Sequence, residues 1–564
     1  MAIPHPLLNG ISSSNGDVHP ESPPHTDHTE PPPSAPKLSQ EQIADILQNQ
    51  YPVDDVVPPE HWGRTLVLCF DGTGDQFDED NSNIVEFFRL LKKDDRKKQM
   101  VYYQAGIGTY TSPTMVTPMA ARVSKTLDAA IAWNLHSHVM DGYEFLMQNY
   151  TVGDRICIFG FSRGAYTARS LAGMIHKVGI LPACNHQQVP FAYKMYIDED
   201  TDANNKQALE FKATFSTDVD IEFVGVWDTV DSVGLIPRRL PLTGANDIIR
   251  TFRHALALDE HRAKFKANHF HRNAKEDEEE ALHNHLHVDS SIRLKQKKNR
   301  KGKGLKGLSK EEKGLTLQAL KQKYSKKRRT ETDIKEVWFA GCHCDVGGGS
   351  VRNEVKPNLA RIPLRWMIRE CFAANSGIMF HTKGLEDLGM DVDCLYPIVQ
   401  PRPAERTVDP CDHCVRVDPP KPALSVFSRM FSWIFRGNGY DQVPNGKHHH
   451  ADSDMADLEE EDLELGDALS PAYDQLDISW FWWILEYLPL LQMSQGECWK
   501  HLSRFKANWG QGRHIPLGEN GRVMVHRSVK MRMEAAYEGQ TERYQPVAKN
   551  FAELQEQKLI DWVD

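Results

Sequence analysis

The chain has 564 residues, of which 40% are hydrophobic, and a formal net charge of −11. Such a length and apolar content allow a large buried core, which indicates a globular protein with long polar insertions. Ten cysteines spread over so long a chain, several inside apolar runs such as LVLCF and ICIF, indicate buried thiols in a reducing compartment and exclude a disulfide framework.

The amino-terminal region contains no recognisable targeting signal. Residues 1–40 are rich in Pro, Ser and His and poor in large apolar side chains, which predicts a disordered tail. The opening sequence MAIPHPLLNGISSSNG has neither a basic region nor a continuous apolar segment, so we expect no secretory signal. We also expect no transmembrane helix, because no apolar run approaches the roughly 20 residues needed. These features predict a cytoplasmic protein whose membrane contact, if any, is peripheral.

From residue 65 onward, apolar runs alternate with helical patterns. The first predicted strand, TLVLCF, stops at DGTG and leads into NIVEFFRLLKK, whose apolar residues recur at helical spacing. The runs VYYQAGIGT, RICIF, IEFVGVWD and EVWFAG are further predicted strands, and a long helical region ends near HVMDGYEFLMQNY. This alternation predicts a mostly parallel sheet covered by helices on both faces. In such sheets the chemistry lies beyond the carboxyl ends of the strands.

The segment RICIFGFSRGAYTARSLAGMI places Ser162 between a strand and a helix. The Gly-x-Ser-x-Gly motif alone is weak evidence, but its strand and helix context is that of a nucleophile elbow. In such an elbow Gly160 and Gly164 stand where a side chain would collide with neighbouring backbone. The segment therefore predicts Ser162 as a nucleophile, with the amide of Arg163 aimed at the oxyanion. An ordinary tight turn is the alternative.

A serine nucleophile needs a histidine base and a carboxylate that orients the histidine. Asp228 ends the strand IEFVGVWD, so its side chain is expected at the catalytic edge, and Asp231 is its nearest competitor. His343 follows the strand EVWF and precedes three glycines, which favours it as the base. Asp345 and His526 are the reserve candidates for these roles.

Four motifs, FDGTG, GFSRGAYTAR, GVWDTVDSVG and FAGCHCDVGGG, occur in this order over 65–350. Together they resemble an uncharacterised α/β-hydrolase family that includes the type VI secretion lipase effectors of bacteria and many fungal proteins. The segments WFWWILEYLPL and VHRSVKMRM also resemble fungal members. The resemblance implies an α/β-hydrolase fold and a Ser-Asp-His hydrolase, with phospholipid ester cleavage as the activity of the bacterial effectors. We expect the catalytic domain to cover about 60–400. It supports Ser162, Asp228 and His343 as the triad.

The motif FDGTG also invites comparison with phosphatases of the haloacid dehalogenase type, which carry an aspartyl nucleophile two residues earlier. Cys69 occupies that position here, so the nucleophile of that chemistry is absent. We expect Asp71 to shape the loop and the turn Gly72, Thr73 and Gly74 to lend the second oxyanion donor. The predicted reaction needs no organic cofactor and no metal.

Charged blocks interrupt the pattern of strands and helices. The block 293–329 contains sixteen Lys or Arg and two Glu, and 452–467 contains nine Asp or Glu and no base. Like charges repel, so both blocks predict solvated loops, one an insertion over about 290–330 and the other within a helical and aromatic region over 401–564. The basic block could instead contact an anionic membrane or act as a nuclear address, and nucleic-acid binding is not expected.

Two further segments bear on ligands. Cys411 and Cys414 form a single CxxC with no second ligand pair, so we assign no metal. The segment 424–437, LSVFSRMFSWIFRG, places apolar residues on one helical face with arginines nearby, which suits either an interfacial helix or one packed on the core.

The sequence thus predicts a serine esterase of the lipase or phospholipase type that works through a Ser-His-Asp triad and an acyl-enzyme intermediate. The alternative is a catalytically silent hydrolase fold that serves as an interaction scaffold or associates with membranes, because a fold does not guarantee an activity.

Overall fold

A computed structural model describes residues 55–59, 63–73, 75–106, 120–198, 202–230, 240–270, 331–416, 459–495, 501–518 and 520–564. Three segments with sequence predictions lie outside the described residues: the tail over 1–40, the basic block 293–329 and the segment 424–437. Gly74 and Asp231 also lie outside them. The predictions for these positions stay predictions.

The strands are β1 Val56–Val57, β2 Thr65–Phe70, β3 Gln99–Gln104, β4 Arg155–Phe161, β5 Ile221–Trp227, β6 Ile249–Ala257, β7 Asp333–Phe339, β8 Phe380–His381, β9 His413–Cys414, β10 Leu490–Gln495, β11 His501–Lys506, β12 Val523–His526, β13 Ala536–Tyr537 and β14 Ile560–Val563. The helices are α1 Asn83–Leu90, α2 Ala120–Asn149, α3 Ser162–Val178, α4 Val189–Ile197, α5 Asp202–Phe215, α6 His343–Gly347, α7 Arg361–Ala373, α8 Thr382–Asp387, α9 Glu460–Leu469, α10 Gln475–Ile478, α11 Phe481–Tyr487, α12 Arg527–Glu534 and α13 Phe551–Glu556. Short 3-10 turns cover His186–Gln188 and Val392–Cys394.

Eight strands form the central sheet, in the order β14-β12-β7-β6-β5-β4-β2-β3. Every neighbouring pair in this sheet is parallel. The carboxyl ends of β4, β5 and β7 therefore lie at one edge, where a parallel α/β sheet places its chemistry. The predicted α/β-hydrolase-like fold, with its mostly parallel sheet, is confirmed.

The sheet has a hydrophobic cluster on each face. In β2, whose six residues are all buried, Leu66 and Leu68 join the cluster that contains residues of α2 and α3. Val67 and Cys69 join the other cluster, with residues of α1 and α7. Because side chains of a strand alternate between faces, a strand covered on both sides reads as the continuous apolar run seen in the sequence.

Residues beyond the predicted boundary at 400 complete the same sheet. Strand β12 pairs with β7, and β14 pairs with β12, so two strands from 401–564 extend the sheet of the predicted catalytic region. The chain Tyr51–Asp564 forms one compact unit. Residues on both sides of the predicted boundary at 400 therefore belong to one sheet.

The second half of the predicted acidic loop, 452–467, is helix α9 rather than a loop, and the first half lies outside the described residues. Arginines from other elements offset its carboxylates: Glu464 accepts a hydrogen bond from Arg527 at 2.8 Å, and Asp467 lies 2.8 Å from Arg365. The loop prediction was wrong here because buried arginines offset the charges of Glu464 and Asp467, which reduces the repulsion within the block.

Among the described residues, the structure shows neither disulfides nor membrane-spanning helices. Each of the nine described cysteines is a free thiol. None of the described helices is both long and apolar enough to cross a bilayer. Within the same residues no group of three or more His, Cys, Asp or Glu could hold a metal ion. In the CxxC segment Cys411 is exposed and Cys414 is buried.

Candidate active site

Ser162 stands at the sharp turn between β4 and α3. Its φ of +58° lies in the left-handed region, which residues other than glycine rarely adopt. A Cβ added at Gly160 would lie 2.4 Å from the carbonyl oxygen of Gly164, and one added at Gly164 would lie 2.2 Å from that of Phe70. Only glycine fits at these two positions, and the turn has the strand-to-helix geometry of a nucleophile elbow.

Side chains from three strand ends meet at this turn. Oγ of Ser162 lies 2.8 Å from Nε2 of His343, which begins α6 just after β7. Nδ1 of the same ring lies 2.5 Å from Oδ2 of Asp228, the residue that follows β5. All three side chains are buried. The structure thus brings together the serine, histidine and aspartate that the sequence singled out.

Asp228 has a second partner, Arg513, that the sequence analysis missed. Nη1 of Arg513 donates to Oδ1 of Asp228 at 2.5 Å, and Nη2 donates to Oδ2 at 2.8 Å. The backbone N–H of Ala257 also donates to Oδ1, at 3.0 Å. The guanidinium is fixed in turn by the carbonyl oxygens of Ala257 and Phe265. The carboxylate is therefore held in one plane, with Oδ2 facing the imidazole.

Burial and neighbouring charges set the protonation of this pair. Burial alone would raise the pKa of Asp228, but the charge of Arg513 and the hydrogen bond from His343 outweigh it and hold that pKa well below its usual range. Burial lowers the pKa of His343, and the hydrogen bond to Asp228 offsets only part of this effect. At neutral pH the site therefore holds a neutral imidazole beside a carboxylate, the state that a general base requires.

Aromatic and charged groups enclose the imidazole of His343. The rings of Phe161 and Phe265 lie 4.7 and 4.9 Å from it, centroid to centroid. The carboxylate of Glu260 accepts from the backbone N–H of His343 at 3.3 Å and from Arg262 at 2.7 Å. The guanidinium of Arg262 lies 3.6 Å from the centroid of the Phe265 ring. These contacts fix the orientation of the imidazole ring.

The predicted oxyanion donors differ in availability. The N–H of Arg163 lies in the first turn of α3, where backbone N–H groups lack intrahelical acceptors. The N–H of Gly72 already donates to Oδ1 of Asp71 at 2.8 Å. By contrast, Oγ1 of Thr73 is buried and has no hydrogen-bond partner among the described residues. Of the predicted glycine turn, whose Gly74 is not described, Thr73 is the residue with a free side-chain donor.

Asp71 organises the loop that follows β2. Its carboxylate accepts hydrogen bonds from Oγ of Ser82 at 2.6 Å, from the hydroxyl of Tyr103 at 2.7 Å and from the N–H of Gly72. Burial raises the pKa of Asp71 to about 6, although these hydrogen bonds oppose the rise. The contacts are those of the loop-shaping residue expected from the sequence.

The described reserve candidates are engaged elsewhere. The carboxylate of Asp345 accepts from the N–H groups of Cys342 and Tyr473, both at 2.9 Å, and so supports the turn that carries His343. Nδ1 of His526 lies 2.9 Å from Oγ of Ser528 at the start of α12. Burial lowers the pKa of His526 to about 3. Both residues have structural contacts that account for their positions.

A family model described as "T6SS, Phospholipase effector Tle1-like, catalytic domain" matches residues 64–370, more than half of the chain. The chain belongs to this family. The matched region of the Tle1-like family contains the elbow and both strand ends that carry the aspartate and the histidine. Membership supports a lipase or phospholipase type of activity for the domain.

Three known proteins are similar to this chain. Uncharacterized protein YEL023C of Saccharomyces cerevisiae (strain ATCC 204508 / S288c) is 28% identical over 559 residues, which cover 84% of this chain and 79% of that protein. A crystal structure of an uncharacterized protein from Pseudomonas aeruginosa matches with 15% identity and a TM-score of 0.29, over 60% of this chain and 48% of that one. The structure of the Tle1 effector bound to the VgrG spike of the type 6 secretion system matches with 15% identity and a TM-score of 0.25, over 53% of each chain. This chain thus spans about half the length of the two solved chains.

Proposed function

We propose that this protein is a serine hydrolase that cleaves carboxylic ester bonds of lipids, with phospholipids as the substrate class. The observation that carries the proposal is the hydrogen-bonded chain from Ser162 through both ring nitrogens of His343 to Asp228, with the serine on a strained turn. A serine that only starts a helix requires neither an aligned imidazole nor a buried carboxylate behind it. Membership in a phospholipase-type family supports the lipid class of substrate.

In the acylation step, Nε2 of His343 takes the proton from Oγ of Ser162 while that oxygen bonds to the ester carbonyl carbon. Asp228 accepts the Nδ1–H and stabilises the imidazolium that forms. The N–H of Arg163 and the hydroxyl of Thr73 donate to the oxyanion. The imidazolium then gives its proton to the leaving alcohol oxygen as the carbon–oxygen bond breaks, and an acyl ester remains on Ser162.

In the deacylation step, a water molecule attacks the acyl carbon and Nε2 of His343 takes a proton from it. The bond between the acyl carbon and Oγ of Ser162 then breaks, and that oxygen regains the proton from the imidazolium. The products are a carboxylic acid, the alcohol released earlier and the regenerated enzyme. The scheme uses only groups of this chain and water.

Labelling with a fluorophosphonate tests this proposal, together with hydrolysis of a soluble short-chain ester and of phosphatidylcholine. We expect labelling of the full-length protein at Ser162, and a loss of turnover by several orders of magnitude in Ser162→Ala. Ser170→Ala is the matched control, because Ser170 is a buried serine of the same helix whose hydroxyl bonds to the carbonyl of Tyr166. Labelling that persists in folded Ser162→Ala contradicts the proposal. Folded wild-type protein that is neither labelled nor active supports the scaffold alternative.

A further inference from the structure

An exposed apolar surface lies on α11 and on the turn that follows β11. On α11 and its flanks, the exposed apolar residues recur at helical spacing and are between 43% and 58% exposed. Glu486 of the same helix is only 1% exposed, which reverses the usual arrangement of a surface helix. We call the exposed set the apolar rim: Trp480, Ile484, Tyr487, Leu488 and Trp509.

Glu486 holds Trp509 in its outward position. Trp509 has a φ of +57°, a conformation that a bulky residue rarely adopts. The carbonyl oxygen of Glu486 accepts from the N–H of Trp509 at 3.2 Å, and its carboxylate accepts from the N–H of Gly510 at 3.0 Å and from the amide of Asn508 at 2.7 Å. Trp509 is 61% exposed, and its ring lies 5.1 Å from that of Tyr487. A buried carboxylate and a strained turn thus display an indole at the surface.

The inner side of α11 contacts the groups that enclose the proposed base. The ring of Trp482 lies 5.6 Å from that of Phe265 and 4.8 Å from the guanidinium of Arg262. The ring of Phe265 in turn lies 4.9 Å from the imidazole of His343. The helix that carries the apolar rim is therefore two ring contacts away from the catalytic site.

Lysines border the apolar rim. Lys506 and Lys549 are exposed. Nζ of Lys266 donates to the side-chain oxygen of Asn508 at 2.8 Å, and Nζ of Lys549 donates to that of Gln511 at 2.9 Å. These acceptors are neutral amides, so neither of these two bonds is an ion pair, and the carboxylates that act on Lys266 are those of Glu486 and Glu260. Burial, followed by the cations Arg513 and Lys549, lowers the pKa of Lys266 to about 8, although Glu486 and Glu260 oppose the shift.

We propose that the apolar rim docks this protein on the surface of a phospholipid bilayer that contains anionic lipid; the inference rests on the proposed lipid hydrolase function. Trp and Tyr rings favour the headgroup level of a bilayer, because each has an apolar body and a polar atom. Each lysine near an anionic surface adds about 1 kcal/mol. Lysine is depleted in interfaces between proteins, which favours a lipid surface over a protein partner or a second copy of the chain.

The test compares full-length wild type with the double variant Tyr487→Ser/Trp509→Ser. Phe215→Ser is the matched control, because the Phe215 ring is 50% exposed but lies away from the apolar rim. Phe215 is the last residue of α5 and precedes the start of β5, whereas Asp228 follows the end of β5. Binding is measured by co-sedimentation with vesicles of phosphatidylcholine, alone or in equimolar mixture with phosphatidylserine. Because burying one such side chain contributes about 1.5–3 kcal/mol, we expect the double variant to bind mixed vesicles at least about tenfold more weakly. We also expect the double variant to have a lower ratio of vesicle hydrolysis to soluble-ester hydrolysis. Phe215→Ser should retain both the binding and the ratio of the wild type.

Unchanged vesicle binding by the folded double variant overturns the docking proposal. A double variant that loses a dimer seen for the wild type in sedimentation velocity, but binds vesicles as the wild type does, also overturns the proposal. The apolar rim would then join two copies of the chain. If vesicle binding depends on Trp509 but Ser162 is never labelled by the fluorophosphonate, the docking proposal is supported and the proposed hydrolase function is contradicted. If the double variant does not fold, Lys506→Glu/Lys549→Glu replaces it: weaker binding to the mixed vesicles supports the proposal, and unchanged binding overturns it.

Discussion

Replacing Arg513 by Gln is expected to move the acid limb of the pH–rate profile to higher pH. Arg513 and His343 donate to the same oxygen of Asp228, at 2.8 and 2.5 Å. Their nitrogens are therefore within about 5 Å of each other, where two unit charges at an effective dielectric constant of about 20 repel by about 3 kcal/mol. That energy corresponds to about two pKa units. Without the guanidinium the imidazolium is less disfavoured, so the pKa of His343 rises and the neutral base is lost at a higher pH.

The assay measures kcat/KM of the soluble ester against pH. In the wild type, the acid limb should fall below the ordinary histidine pKa of 6.5, since burial lowers the pKa of His343. Arg513→Gln should shift this limb upward by one to two pH units (about 1.4 kcal/mol for each). It should also reduce kcat, because Asp228 loses the two hydrogen bonds from the guanidinium that hold its carboxylate in place. Arg513→Lys, which retains the charge, should keep the limb near its wild-type position. An unshifted limb in folded Arg513→Gln would refute the argument that this cation acts on the Asp228–His343 pair.

Three further predictions concern single positions. Thr73→Val removes the free hydroxyl and should lower kcat about a hundredfold with little change in KM; an unchanged kcat removes Thr73 from the oxyanion site. Gly164→Ala would place a Cβ 2.2 Å from the carbonyl oxygen of Phe70, so the free energy of unfolding should drop by about 1–3 kcal/mol in denaturant titration; full stability would contradict the close approach. Asp467→Ala leaves the buried Arg365 without its carboxylate at 2.8 Å and should cost about 3–5 kcal/mol in the same titration; a loss below 1 kcal/mol would mean that water or another acid replaces it.

The central sheet and the three residues that meet at its edge could be predicted because their signals are local. Strand β2 is a continuous apolar run because both of its faces are covered. The strained turn at Ser162 needs Gly160 and Gly164, and these are visible in the sequence. Asp228 and His343 each follow a recognisable strand. Their roles in catalysis remain a proposal, but their positions follow from local patterns.

Features that depend on partners far along the chain could not be predicted. Arg513 reaches Asp228 across 285 positions, from an irregular segment without apolar periodicity. The helix at Glu460–Leu469 forms because arginines such as Arg365 lie beside its carboxylates. The sequence of the acidic block does not indicate which distant arginines these are. Strands β12 and β14 have four residues each, too short for a clear alternation. In each case the decisive contact is tertiary.

The sheet order has a consequence for synthesis on the ribosome. Ser162, Asp228 and His343 are all translated before β12, the strand that pairs with the outer edge of β7, and before Arg513, which neutralises the buried aspartate. While the chain grows, β7 has an unpaired edge and Asp228 lacks its cation, so the catalytic edge forms only after about 170 further residues follow His343. Residues that follow all three side chains in the sequence are therefore needed to complete the site at which those side chains meet.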